Sequence, residues 1–236
     1  MKKILPGIMG LLFSFNTIAS TPTEVLTPIN NIYTPKGFDS NDNAEVVLTG
    51  YLPNLCHKSP KTRVEIDGNT INVTVTSLKY TASNPYCNQV LVPFLKTLDL
   101  GILEKGKYEI VVNGESTHQH KRILSIAPHH AGSIDEYIYP AVEFIEKNHH
   151  NNTIRITGYN PSDCFVLDRI EVVDNSVDTY SVLPVLKRVN DFCPLKMTPF
   201  SYEMEVPTEI DRSLVLLHIR SMNGNSINTL FDYTLK

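Results

Sequence analysis

One eight-residue phrase occurs twice in this 236-residue chain. Thr49-Gly50-Tyr51-Leu52-Pro53-Asn54-Leu55-Cys56 returns 108 residues later as Thr157-Gly158-Tyr159-Asn160-Pro161-Ser162-Asp163-Cys164. Each Cys is followed, after 30 and 28 intervening residues, by a second one, Cys87 and Cys193. Five intervening residues separate each of these from a Pro-Phe pair, at Pro93-Phe94 and Pro199-Phe200. Upstream, Ile32-Tyr33 with Phe38 aligns with Ile138-Tyr139 and Phe144. A repeat of this length, in one order and register, restricts the fold to two copies of one domain, each with its own cysteine pair.

The N-terminus reads as a secretory leader over residues 1–20. Lys2 and Lys3 form a positive start, Ile4–Phe15 is apolar apart from Ser14, and Thr17-Ile18-Ala19 or Ile18-Ala19-Ser20 offers a small-residue cleavage site. About a dozen apolar residues fall short of the roughly 20 that span a bilayer. No later run is long enough, so no membrane span is expected after cleavage, and no Cys sits where an acyl anchor would attach. Export to the periplasm or the medium permits disulfides. Four cysteines allow three connectivities, and the duplication selects Cys56–Cys87 with Cys164–Cys193. Without the leader the chain has 19 basic and 25 acidic residues, a net charge of −6. With no basic stripe or RNP motif, nucleic acid is not an expected partner.

Alternation of period two marks strands. Ile71, Val73 and Val75 alternate with Asn72, Thr74 and Thr76, and Tyr108, Ile110 and Val112 with Glu109, Val111 and Asn113. In the second copy Ile154 and Ile156, then Phe200, Tyr202, Met204 and Val206, repeat the pattern. Turn signals separate the runs at Asp67-Gly68-Asn69, Asp174-Asn175-Ser176, Asn113-Gly114 and Asn223-Gly224. Following the strands up and down through these turns brings Cys56 and Cys87 to one pole, and Cys164 and Cys193 to the matching pole of the second copy. There a bridge needs Cα atoms within about 7 Å. Short strands at this spacing predict an all-β chain of two tandem β-sandwich domains. The boundaries are a leader at 1–20, a first domain at 21–127, a linker at 128–133 and a second domain at 134–236.

The closing segment Gly106-Lys107-Tyr108-Glu109-Ile110-Val111-Val112-Asn113-Gly114 resembles the last strands of bacterial extracellular immunoglobulin- or fibronectin-III-like modules. The TGYxPxxC phrase is similar to uncharacterised secreted bacterial proteins built from such modules. The resemblance implies the sandwich and carries no activity with it. The chain differs from antibody domains in having no Trp and in clipping two loops at one pole with its bridge.

Chemistry-bearing clusters are few. Six histidines lie between residues 118 and 150. His118 and His120, read as one strand face, are the candidate metal ligands, although two imidazoles fall short of a closed site. The expectation is no metal and no cofactor. Asp39-Ser40-Asn41-Asp42-Asn43 opens like a calcium loop but has Ala44 and Gly50 where Gly and Glu are required, so a solvated Asx turn is expected. Signatures such as G-x-S-x-G, H-E-x-x-H and the P-loop are missing. Asp163, Asp168, Glu171 and Asp191 read as solvated surface. These observations point to an exported, non-enzymatic binding or structural protein that engages another protein or an envelope component through polar loops. The loops are 52–61 with 81–88 and 160–166 with 188–195, and the contact residues are Asn84, Tyr86, Asp191 and Phe192. A hydrolase or its inhibitor, and a metal carrier using the histidine-rich junction, are the alternatives.

Overall fold

Alternation in the sequence becomes alternation in burial. In a computed structural model, which describes residues 21–80, 86–129, 136–194 and 196–235, Ile71, Val73 and Val75 are buried while Asn72 and Thr74 are exposed. The first half contains β1 (Thr23–Leu26), β2 (Ile29–Tyr33), β3 (Asn43–Leu52), β4 (His57–Asp67), β5 (Thr70–Lys79), β6 (Val92–Ile102), β7 (Gly106–Val112) and β8 (His120–Ile126). The second contains β9 (Ala141–Asn148), β10 (Thr153–Asn160), β11 (Phe165–Asp174), β12 (Thr179–Arg188), β13 (Thr198–Glu205), β14 (Leu214–Arg220) and β15 (Ser226–Asp232).

The two halves share one topology. In the first, β5 pairs with β4 along one edge, and with β7 and β1 at the two ends of its other edge; β8 follows β7. The opposing sheet is β2-β3-β6. In the second half the sheets are β11-β12-β14-β15 and β9-β10-β13. The connection through β6 or β13 crosses to the opposite sheet and back, so β7 returns parallel to β5 and β14 parallel to β12. Each half closes on its own core. Ile71, Ile110 and Leu124 meet Val46 and Leu48 in the first, and Val182, Leu217 and Phe231 meet Ile154 and Ile156 in the second. The two β-sandwiches anticipated from the repeat are present, with Cys56–Cys87 and Cys164–Cys193 each formed within one half.

The halves also pack on each other. β3 is buried on both faces: Ala44, Val46 and Leu48 point to their own core, while Val47 joins Tyr33 and Leu216 in a separate cluster with Leu230 against it. β14 behaves alike, with Leu217 and Ile219 inward and Leu216, His218 and Arg220 toward the first half. The sheets therefore lie in the order β4-β5-β7-β8, β2-β3-β6, β11-β12-β14-β15, β9-β10-β13.

Two sequence readings are corrected here. Strand pairing places Ile32 opposite Leu48 and Ile145 opposite Ile156, so Ile145, not Ile138, is the counterpart of Ile32. Ile138 instead bridges Leu186, standing where Val25 of β1 stands beside Ser77. Phe38 is buried in a connection, whereas Phe144 lies on β9 with its ring 59% exposed. The shift arises because residues 34–42 join β2 to β3, while residues 149–152 suffice between β9 and β10. The longer connection is the Asx segment, and it is not wholly solvated. Asp42 is buried and pairs with the equally buried Arg220 at 2.6 Å. Asp39 shapes the turn by accepting from the Asn41 amide at 2.8 Å, and its own amide donates to Asp42 Oδ2 at 3.0 Å.

Candidate functional site

The repeated phrase is a set of residues that touch one another. Gly50 is paired across the sheet with Phe94, and Tyr51 with Pro93; Gly158 faces Phe200, and Tyr159 faces Pro199. A Cβ on Gly50 would meet Phe94 Cζ at 2.6 Å, and one on Gly158 would meet the Ala141 carbonyl oxygen at 2.0 Å. The glycines make room for close neighbours, and the prolines sit on edge strands, where a missing N–H leaves no ladder bond unmade. Beyond Tyr51 the chain turns on Asn54, whose Oδ1 accepts from the Cys56 amide at 3.0 Å and lies 2.8 Å from His57 Nδ1. Ser162 does the same work in the second half, accepting from the Cys164 amide at 3.2 Å. Each bridge then ties this turn to the segment entering β6 or β13, with Cα atoms 5.5 and 5.4 Å apart.

What these clipped loops show to solvent is apolar as well as polar. Tyr86 and Phe192, each immediately before the second cysteine of its copy, are 84% and 87% exposed. Around Cys56–Cys87, Leu55, Val90 and Leu91 are also exposed; around Cys164–Cys193, Val166, Val189 and Met197 are. Backbone bonds hold them together: the Leu55 amide donates to Asn88 O at 3.2 Å, and that of Val189 to Cys164 O at 2.8 Å. Asp191 is exposed, and its carbonyl accepts from Arg188. Asn84 lies outside the described residues. Sequence reasoning picked out the aromatics and passed over their aliphatic neighbours, although the run Val90-Leu91-Val92 before Pro93 breaks the alternation and could have signalled them.

The two clipped ends point in opposite directions. Along the interface Asp42 meets Arg220, Glu45 lies 4.0 Å from His218, and Val47 clusters with Leu216. The first-half numbers rise as the second-half numbers fall, so β3 and β14 run antiparallel. β3 leads to Cys56, and β14 runs parallel to β12, which leads to Cys193. The bridges therefore lie at opposite ends of the stack.

Other candidates resolve into local structure. His118 is in a turn, its amide bonded to Ser116 Oγ at 3.1 Å, and β8 begins only at His120; the two imidazoles do not share a strand face as the sequence reading had it. His149, in the turn after β9, lies tilted against the Phe231 ring at 4.7 Å and has Nδ1 2.9 Å from the Asp232 carbonyl. Among the described residues no group of three or more His, Cys, Asp or Glu side chains is placed to hold a metal ion. Asp168 is held below the usual carboxylate range by hydrogen bonds from Lys187 and Arg169, and Glu171 also pairs with Arg169. A depression of about 630 Å³ on the β9–β10 face contains the Arg155–Glu146 pair, and one of about 310 Å³ between the halves contains Arg122–Asp178.

Similarity to known proteins covers part of the chain. The family model of the ORF11 beta-sandwich domain matches residues 46–121, from within β3 to the start of β8. A Herpetosiphon aurantiacus protein, described as the uncharacterized 10.2 kDa protein in HgiCIIM 5'region, is 35% identical over 69 residues, covering 29% of this chain and 71% of that protein. The chain belongs to the ORF11 beta-sandwich family. No solved structure matches it. The matched span contains Tyr51, Cys56, Tyr86, Cys87 and Phe94, so the clipped end of the first half lies inside the ORF11 beta-sandwich domain.

Proposed function

We propose that this protein is an exported, non-enzymatic binding or structural protein, resident in the periplasm or released, whose two sandwiches are immunoglobulin- or fibronectin-III-like modules. It engages another protein or a component of the cell envelope through its disulfide-clipped ends. The observation that carries this reading is the aromatic before the second cysteine. It occurs in both copies, and in both its ring is more than four-fifths exposed. Burying such a ring in water-free contact is worth about 1.5–3 kcal/mol, and a side chain with few rotors on a fixed loop loses little entropy on binding. The leader-like N-terminus and the two bridges support export. In the depressions described above, Arg122, Asp178, Arg155 and Glu146 are engaged in ion pairs, which supports recognition rather than turnover.

The test uses immobilised full-length protein and a solubilised envelope fraction. Replacing Tyr86 and Phe192 together by Ser is expected to abolish retention of whatever the native protein captures, while Phe144→Ser, on a face away from the ends, leaves it intact. Full retention by the double variant would place the working surface elsewhere.

A further inference from the structure

The Cys56–Cys87 end differs from its counterpart in charge, and this narrows its ligand. Tyr51–Lys61 and Lys79–Lys96 contain four lysines, Lys58, Lys61, Lys79 and Lys96, and no Asp or Glu. Within the first half, the carboxylate closest to this end in strand register is Glu24, opposite Leu78, and it accepts a hydrogen bond from Thr76 at 2.6 Å. Lys58 is exposed beside the apolar group of Leu55, Tyr86, Val90 and Leu91. The other end mixes Lys187 and Arg188 with Asp163, Asp168 and Asp191 around its apolar group. A second observation is where the chain enters. Thr23, the first residue of β1, pairs with Lys79, which also pairs with His57 next to Cys56. β1 therefore begins beside the Cys56–Cys87 end, so the segment preceding it in the sequence, with the apolar run Ile4–Phe15 ending seven residues before β1, joins the fold there.

We infer that the Cys56–Cys87 end docks on an anionic lipid bilayer. This rests on the end-binding reading above and assigns the ligand of one end. Leu55, Val90 and Leu91 enter the acyl boundary, Tyr86 sits at headgroup level with its hydroxyl toward water, and Lys58 and Lys79 face the lipid phosphates. Neither part suffices alone, since a few aliphatic side chains give only weak, reversible partition and stable attachment takes apolar insertion together with cationic attraction. The opposite end then projects away from the membrane.

Sedimentation of the full chain with vesicles tests this. The protein is expected to be retained on vesicles of phosphatidylglycerol and phosphatidylethanolamine, less on phosphatidylcholine alone, and less as salt rises. Leu55→Ser/Tyr86→Ser/Leu91→Ser, with the same leader as the native chain, should lower partition about tenfold or more. Lys58→Glu/Lys79→Glu should abolish the preference for anionic vesicles. Val189→Ser/Phe192→Ser/Met197→Ser at the far end should change nothing. Absence of retention, equal retention on both vesicle types, or retention indifferent to the first triple variant would overturn the inference. If that triple variant loses capture of envelope material while no vesicle binding is seen, the lipid assignment falls and the end-binding reading stands.

Discussion

At the scale of single residues, the most consequential groups are those that the interface takes out of water. His218 is fully buried, with Nδ1 2.9 Å from Asn228 Oδ1, so the neutral ring carries its proton there; Nε2 has no hydrogen-bond partner. Around it stand Glu45 from β3, Asn228 from β15, Phe38 from the long connection and Arg220 two residues along. Burial lowers its pKa from 6.5 to about 4, the Asn228 bond opposing and the Arg220 charge adding to the fall. Since the unfolded chain takes up this proton first, stability is full above about pH 6.5 and declines as pH falls toward 4, with a slope approaching about 1.4 kcal/mol per pH unit. Asp42 acts with the opposite sign: burial raises its carboxyl against the pull of Arg220, so its protonation favours the fold and offsets part of the loss at the acid end. His218→Gln keeps a donor for Asn228 and removes the titration. Its urea midpoints at about pH 7 and about pH 4.5 should differ less than those of the native protein. The sequence showed only a histidine in phase with Leu214 and Leu216. It could not show that this face is the one covered by another domain, because the covering residues lie more than 170 positions away.

At the scale of elements, the repeated phrase and its distant Pro-Phe form one device, and their contacts predict an order of damage. In Gly50→Ala the new methyl meets the Phe94 ring at 2.6 and 2.8 Å and the Pro28 carbonyl oxygen at 2.8 Å. Overpacking of this kind costs about 1–3 kcal/mol, and Phe94→Leu in the same chain should recover part of it. In Gly158→Ala the obstacle is backbone, Ala141 O at 2.0 Å, so the loss should be larger and no trimming of Phe200 should relieve it. Denaturant midpoints of the three variants would decide the order. Strands with one solvated face, such as β5 and β13, were legible from alternation. β3 was not: in Ala44-Glu45-Val46-Val47-Leu48 both faces are buried, so apolar residues run together and even the charged Glu45 is covered. The equivalence of β2 with β9 was missed for a related reason. The extra residues between β2 and β3 shift the spacing just where the only sequence guide was a pair of apolar residues.

At the scale of the molecule, the two cores are separate and the contact between the halves is largely polar, built on Asp42–Arg220, Arg122–Asp178 and Asn228 with Glu45 around a small apolar centre. Fragments 21–127 and 134–236 should therefore each unfold cooperatively with β-type circular dichroism. Each should be less stable than in the intact chain, since Tyr33, Val47 and Leu216 become wet, and buried ion pairs broken by removal of one partner are costly. Mixed, they should recombine one to one on a sizing column; a half without cooperative unfolding would make the two cores a single folding unit. The contact is also one-way. The first half offers β2 and β3, and the second receives them on β12, β14 and β15, so the equivalent offering face of the second half is left over. There, at the positions of Tyr33 opposite Val47, stand Glu146 and Arg155, joined at 3.1 Å, with Glu143, Glu203 and Glu205 exposed around them. The connection that carries Asp42 has no counterpart between β9 and β10. A head-to-tail joint of this type is open-ended by geometry, and here the unused offering face is chemically quenched: an ion pair stands where the first half carries Tyr33 and Val47, so water, not another sandwich, is the cheaper neighbour for it.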